Sequence, residues 1–136
     1  MSTIQDAVAE FGAFHVIVGP SSGAIHLVCA HALALGVASV SSPENGLYPS
    51  AIGAQVRRLR ADYNSGRLIV HTNSPLVLNE CDPTEASIVT RNAAGEVVVT
   101  RFDRTKDFAR RSGAFALGEL WLTFCDGDKE VQLVPE

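Results

Sequence analysis

Short β-branched runs alternate with longer stretches of helical spacing, and turn-forming residues separate them. The run "FHVIVG" at 14–19 is closed by Gly-Pro and predicts a buried strand. Ser21 and Ser22 follow as N-cap residues, and Ile25, Val28, Cys29, Ala32, Leu33 and Leu35 then recur at helical spacing. They predict a helix over 22–35, ended by Gly36. "VASV" at 37–40 is too short for a helix and apolar on both faces, the pattern of a central strand in a parallel sheet. "SPENGLYPS" reads as loop. Pro49-Ser50 then opens a helix through about Tyr63, with Ile52, Val56, Leu59 and Tyr63 on one stripe, and "NSG" stops it. "RLIVHT" at 67–72 is the next strand, broken by "NSP".

This strand–helix–strand order makes a βαβ unit with a right-handed crossover. "ASIVTR" and "EVVVTRF" around "NAAG" predict a hairpin over 86–102, turning at Asn92–Gly95. "TKDFARRSGAFALGELWLTFC" is amphipathic and partly helical, and "DGDKEVQLVPE" is a polar tail with room for one added strand. The expected fold is α/β: a mainly parallel sheet flanked by helices, completed by a C-terminal β-hairpin and helix. No internal repeat or linker divides residues 1–136, so one domain is expected.

Composition narrows the function. Hydrophobic residues form 46% of the chain and charged residues 19%, too apolar for a disordered segment. A net charge of −4 gives no general basic field, so nucleic-acid binding by this chain alone is not favoured. The basic residues are local, as in "RRLR" at 57–60, a solvated helix face by pattern. Cys29, Cys81 and Cys125 form no CxxC pair, which favours reduced, mostly buried thiols. The start "MSTIQDAVAEFG" reads as a natural one and lacks the features of a signal peptide. "AIHLVCAHALALGVASV" is interrupted by two histidines and a glycine and is too short for a bilayer span. A cytosolic protein is expected.

Three segments, in order, resemble the C-terminal half of an ABC-class ATPase head, nearest to the bacterial AAA-type ATPases related to the SMC, RecF and OLD proteins. "PSSGA", Pro20 to Ala24, is similar to the signature loop that opens a helix. "SSPENGLYP", Ser41 to Pro49, is similar to a strand end reading Asp-Glu-Pro-Glu-Asn-Gly-Leu-His-Pro. "HTNSPLVLN", His71 to Asn79, is similar to a strand ending Thr-His-Ser-Pro. "DPTEASIVTRN" and "LGELW" also resemble the tail of such proteins, so the likeness spans residues 15–125.

The departures from that pattern set the functional expectation. In the family the strand's terminal Asp orients magnesium and the following Glu polarises the attacking water; Ser41 and Ser42 stand at those positions. The switch histidine is replaced by Asn73, with His71 two residues before it on the same face of a strand. No GxxxxGK[ST] loop occurs, so a polyphosphate has no cradle. The resemblance therefore implies a remnant without its own catalytic residues, cofactor or metal.

What survives is the signature loop, which in the family contacts the γ-phosphate of a facing subunit. Ser21, Ser22 and Gly23 keep a hydroxyl, backbone amides and a positive helix end for that role. Glu44, Asn45 and Gly46 keep the loop that touches a partner. The partners implied are a protein, a second copy of the chain or an ATPase subunit, with ATP and magnesium shared across the interface. Alternatives stay open at each point. Ser21–Gly23 also reads as an N-cap and turn, Ser41 and Ser42 as hydroxyls satisfying local backbone, and Glu44 as a loop-shaping residue. His26 and His31, five residues apart, lack the spacing of a helical metal pair, and the "DGD" acids at 126 and 128 suggest a turn. His15 gives no signal by itself. Trp121 and Leu122 read as core or as an interface anchor. A nucleotide-independent interaction module is the second expectation, and an ATPase rescued by Glu44 or His71 the third.

Overall fold

A computed structural model describes residues 4–62, 67–105, 108 and 116–124. The elements are α1 (Ile4–Glu10), β1 (Phe14–Val18), α2 (Ser22–Ala34), β2 (Ala38–Ser41), α3 (Pro49–Asp62), β3 (Leu68–His71), α4 (Pro75–Leu78), β4 (Ala86–Arg91), β5 (Val97–Arg101) and α5 (Leu117–Phe124). Two short 3-10 turns, Pro83–Glu85 and Phe102–Arg104, precede β4 and follow β5. The expected α/β fold is present. Among the described residues the strands form one sheet in the order β2-β3-β1-β4-β5, parallel except for the antiparallel β4–β5 hairpin. The hairpin turns where Asn92 and Gly95 place it, with Gly95 at φ +81°. Tyr63, "NSG", Cys125 and the "DGDKEVQLVPE" tail lie outside the described residues.

β1 forms the centre because its five residues are buried on both faces, as a β-branched run in a parallel sheet must be. Phe14, Val16 and Val18 pack with Leu68 and Val70 beneath α3, α4 and α5. Ile17 and Ile69 pack on the opposite face with Val8 of α1, with Phe11 just after it, and with Ala24, Ile25 and Val28 of α2. Thus α2, joining β1 to β2, covers one face, and α3, joining β2 back to β3, covers the other. Right-handed crossovers running in opposite directions along a sheet require that arrangement. α5 approaches α4 closely because Gly118 carries no side chain: a Cβ there would strike the Pro75 carbonyl, and the Gly118 N–H donates to Asn79 Oδ1 at 2.8 Å.

Three expectations need correction. The 37–40 run is not a central strand: β2 is the edge of the sheet, and its side chains alternate between half-buried and exposed. Ala-Ser-Val-Ser is too small to show in sequence that one of its faces is wet. In α2, Ile25, Val28 and Ala32 are buried, but Leu33, 72% exposed, lies off that stripe, and Leu35, 50% exposed, is the C-cap beyond the helix. In "RRLR", Arg57 and Arg58 are solvated, whereas Arg60 is half-buried, its guanidinium 4.7 Å from the Phe14 ring and 3.1 Å from Glu85. Trp121 is core, Leu122 is exposed, and Cys29 and Cys81 are free, half-buried thiols. Helix α1, which the sequence pattern did not reveal, covers one face with Val8, and Phe11, just after the helix, packs in the same cluster.

His15, on β1, is buried among these groups. Its Nε2 lies 2.8 Å from Ser87 Oγ, and its ring stacks on Phe11 at 3.8 Å. Burial, reinforced by the positive charges of Arg101 and Arg67, lowers its pKa from 6.5 to about 3. The folded protein therefore keeps His15 neutral, while the unfolded chain gains a proton below pH 6.5. The stability from this site is complete above pH 6.5 and declines as the pH falls toward 3, at about 1.4 kcal/mol per pH unit. Urea denaturation at pH 7 and pH 5 should show a loss of about 2 kcal/mol. His15→Gln, less stable at pH 7, should lose much less over the same interval; an equal loss in both proteins would remove His15 as the cause.

Candidate functional site

The carboxyl ends of β1, β2 and β3 lie side by side; Ser41 and His71 end β2 and β3, and the segments that follow these strands carry Ser21–Gly23, Ser42, Glu44–Gly46 and Asn73. Ligands of open α/β sheets bind outside these ends, where neighbouring connections leave on opposite faces. Here that point lies between β1, whose chain departs to α2, and β3, whose chain departs to α4 on the other face.

A side chain of the protein bridges this crevice. Asn73 Oδ1 accepts the Gly19 N–H at 3.2 Å, and the Asn73 carbonyl accepts Trp121 Nε1–H at 3.0 Å. Gly19 must be glycine here, since a Cβ would collide with the Val89 carbonyl. Asn73 thus laces the β1 and β3 loops together. His71 does not accompany it; it faces the α2 side, beside β2.

Ser21 is the N-cap of α2, with extended backbone, its Oγ accepting the Ala24 N–H at 3.2 Å and its carbonyl accepting the Ile25 N–H at 3.1 Å. Ser22 and Gly23 form the exposed first turn, whose amides have no acceptor within a helix. Arg91, at the end of β4, reaches the same place. A Cβ built on Gly23 would lie 3.8 Å from Arg91 Nη2 and 3.9 Å from Ser21 Oγ. Arg91 is steadied by its Nη1 donating to the Gly95 carbonyl at 2.8 Å. Sequence reasoning missed Arg91, because only the β1–β4 pairing brings it to a loop so distant in the chain.

At the end of β2, Ser41 is the register partner of His71, and its Oγ lies 3.4 Å from His71 Nδ1, at the long limit of a hydrogen bond. Burial lowers the His71 pKa against an opposing effect of Glu44, so the ring is neutral at pH 7. Ser42 adopts the left-handed conformation, φ 49°, donating its N–H to the His71 carbonyl at 2.7 Å while its carbonyl accepts from Asn45 N–H at 3.1 Å. Glu44 Oε1 accepts Thr72 Oγ1–H at 2.9 Å, and the same hydroxyl oxygen accepts the Ser74 N–H at 3.0 Å. Gly46, at φ +80°, completes the turn. Glu44, Asn45 and Gly46 thereby shape the loop and tie it to β3.

Between α2 and β2 opens a groove of about 320 Å³, lined by Ser22, His26, Cys29, Ser39, Ser41 and His71 among others. Its groups are hydroxyls, imidazoles and a thiol, with no carboxylate to orient magnesium. No cluster of three or more metal-ligating side chains occurs among the described residues. His31 is half-buried further along α2. The arrangement offers one guanidinium and two helix-start amides to an anion, with hydroxyls, imidazoles and a thiol along the groove and the Glu44 carboxylate held by Thr72 in the β2 loop.

Asn73→Ala should cost about 1–2 kcal/mol by orphaning the Gly19 amide, whereas Asn73→Asp, which keeps the acceptor, should cost clearly less. Chemical denaturation of both variants checks this; equal losses would remove the bond as the cause. No helix among the described residues is long and apolar enough to cross a membrane. Comparison with protein-family models and with curated proteins finds no match for the chain.

Proposed function

We propose that this chain is a catalytically degenerate ATPase-like domain of the ABC class. It acts by association, presenting Ser21, Ser22 and Gly23 to the terminal phosphate of ATP·Mg²⁺ held by a partner ATPase. The observation that carries this reading is the position of Arg91 beside Gly23. A guanidinium next to the open amides of a helix start suits a phosphate oxygen from outside, through charge-assisted hydrogen bonds and the positive helix end. The replacements at Ser41, Ser42 and Asn73 fit a partner-completing role, since neutral groups there leave magnesium and water activation to the other subunit. A second reading, a nucleotide-independent interaction module, draws on the Gly19–Asn73 bond, by which the protein bridges its own crevice.

Titration of the purified chain with magnesium and a fluorescent ATP analogue should give no saturable anisotropy up to millimolar nucleotide, and no phosphate release. Micromolar saturation or turnover would reveal a phosphate cradle within this chain and overturn the proposal. Retention of an ATPase on the immobilised chain should require ATP with magnesium and fall about tenfold for Arg91→Gln. Retention indifferent to nucleotide would select the second reading.

A further inference from the structure

The fold makes two serine–histidine contacts among the described residues, and they differ in access. His15 and Ser87 are each 1% exposed, so their 2.8 Å contact is sealed in the core. Ser41 is exposed and His71 half-buried, and their contact opens on the groove of about 320 Å³ between α2 and β2. Burial explains the first pair. It does not explain the second, since water can satisfy an exposed hydroxyl and a contact at 3.4 Å adds little stability.

The end of β2 is nonetheless fastened to the end of β3 around this pair. Ser41 and His71 are register partners, the Ser42 N–H donates to the His71 carbonyl at 2.7 Å, and Thr72 Oγ1–H donates to Glu44 Oε1 at 2.9 Å. Ser42 takes φ 49° in making that turn, a conformation uncommon for a residue with a side chain and concentrated at functional sites. These ties hold a hydroxyl against an imidazole, the juxtaposition a nucleophile and its base require, and one that is often loose before substrate binds. A His71 ring protonated on Nε2 leaves Nδ1 to accept the Ser41 proton. Glu44 is close enough for its charge to favour the imidazolium that results.

We propose that Ser41 and His71 form a nucleophile–base pair that hydrolyses small, uncharged carboxylic esters in this groove. The substrate class follows from the walls. From Phe11 to Pro43 the sequence contains no Asp, Glu, Lys or Arg, so α2 and β2 bring no carboxylate, ammonium or guanidinium to the groove. Ile25 and Val40 give it apolar surface, and its volume suits a short acyl chain. Ser41 Oγ attacks the ester carbonyl carbon as its proton passes to His71 Nδ1. The tetrahedral oxyanion collapses, the bond to the alcohol oxygen breaks, and the alcohol leaves with the proton from His71. Water, giving its proton to His71, then attacks acyl-Ser41; the acid departs and the proton returns to Ser41 Oγ. An ester suits a pair with no carboxylate bonded to the imidazole, because an alkoxide is expelled more readily than an amine. The inference is independent of nucleotide and of any partner ATPase.

Incubation of the full chain with p-nitrophenyl acetate, followed by absorbance and by peptide mass mapping after acid quench, tests it. Release of p-nitrophenolate should exceed that in buffer, with acetyl trapped on Ser41. Ser41→Ala alters an exposed side chain, so it should keep the native circular dichroism while the release above buffer falls at least about a hundredfold. His71→Gln should fall as far, and His31→Gln, outside the groove, should not change. The enzymatic rate should be level above pH 6.5 and decline below it, as His71, whose proton affinity burial lowers, gains a proton. An alkyl fluorophosphonate should label Ser41 in the native chain, a readout that needs no variant. A native chain no faster than buffer overturns the inference. So does release that persists in Ser41→Ala, or acetyl and phosphonate found only on other residues.

Discussion

The rest of the structure depends on the two-sided burial of β1. Phe14 to Val18 have no wet face, so each neighbouring strand and helix takes its place by covering one of them. Pairing with β3 on one side and β4 on the other commits the chain to leave β1 toward one face and β3 toward the opposite face. The crevice between those exits follows from this routing. Its contents then depend on two small details: glycine at 19, because Val89 crowds it, and asparagine at 73, which reaches the freed amide.

The sequence was most informative where local pattern and tertiary environment agree. β1, α3, β3 and the hairpin combine strong propensity with clear punctuation, and their observed limits fall close to those read from pattern. It was less informative where position in the sheet decides the outcome. Ala38 to Ser41 reads identically at a centre or an edge, and Leu33 reads as core although it lies off the buried stripe of α2. His15 is silent in sequence because its altered proton affinity comes from burial and from two arginines, Arg101 and Arg67, contributed by separate segments. Arg91 was invisible as a site residue for the same reason. The loops carrying Ser21–Gly23, Ser41–Gly46 and Asn73 were legible because each follows directly from a strand.

Chemically, the site is best understood through the charges its positions carry. Magnesium-dependent phosphoryl transfer needs fixed negative charge to hold the metal and a base to handle the attacking water. Ser41 and Ser42 supply neither. Glu44 is the acid on the β2 loop, and its Oε1 is engaged by Thr72. Burial lowers the proton affinity of His71, and its Nδ1 faces Ser41 Oγ at the margin of hydrogen-bond distance, in the groove that Ser22 also lines. Positive and negative groups have different attachments: Arg91 stands beside the start of α2, and the Glu44 carboxylate is held by Thr72. Such a division suits contact with an anion already held elsewhere better than it suits capture and cleavage of one.

A single uncharged stretch of sequence serves two environments. Within β1 the absence of charge is demanded by the core, because an unpaired ion there would cost several kcal/mol. Along α2 and β2 no such demand exists in the isolated chain, since solvated positions accept Lys or Glu at almost no energetic penalty. Yet α3, a helix of similar length on the other face, has charged residues on its exposed side. Both helices cover the same sheet, so the contrast cannot come from covering it. The contrast lies on their outer sides: α3 holds Arg57, Arg58 and Asp62 in solvent, while α2 exposes Leu27 and Leu33 and has no Asp, Glu, Lys or Arg.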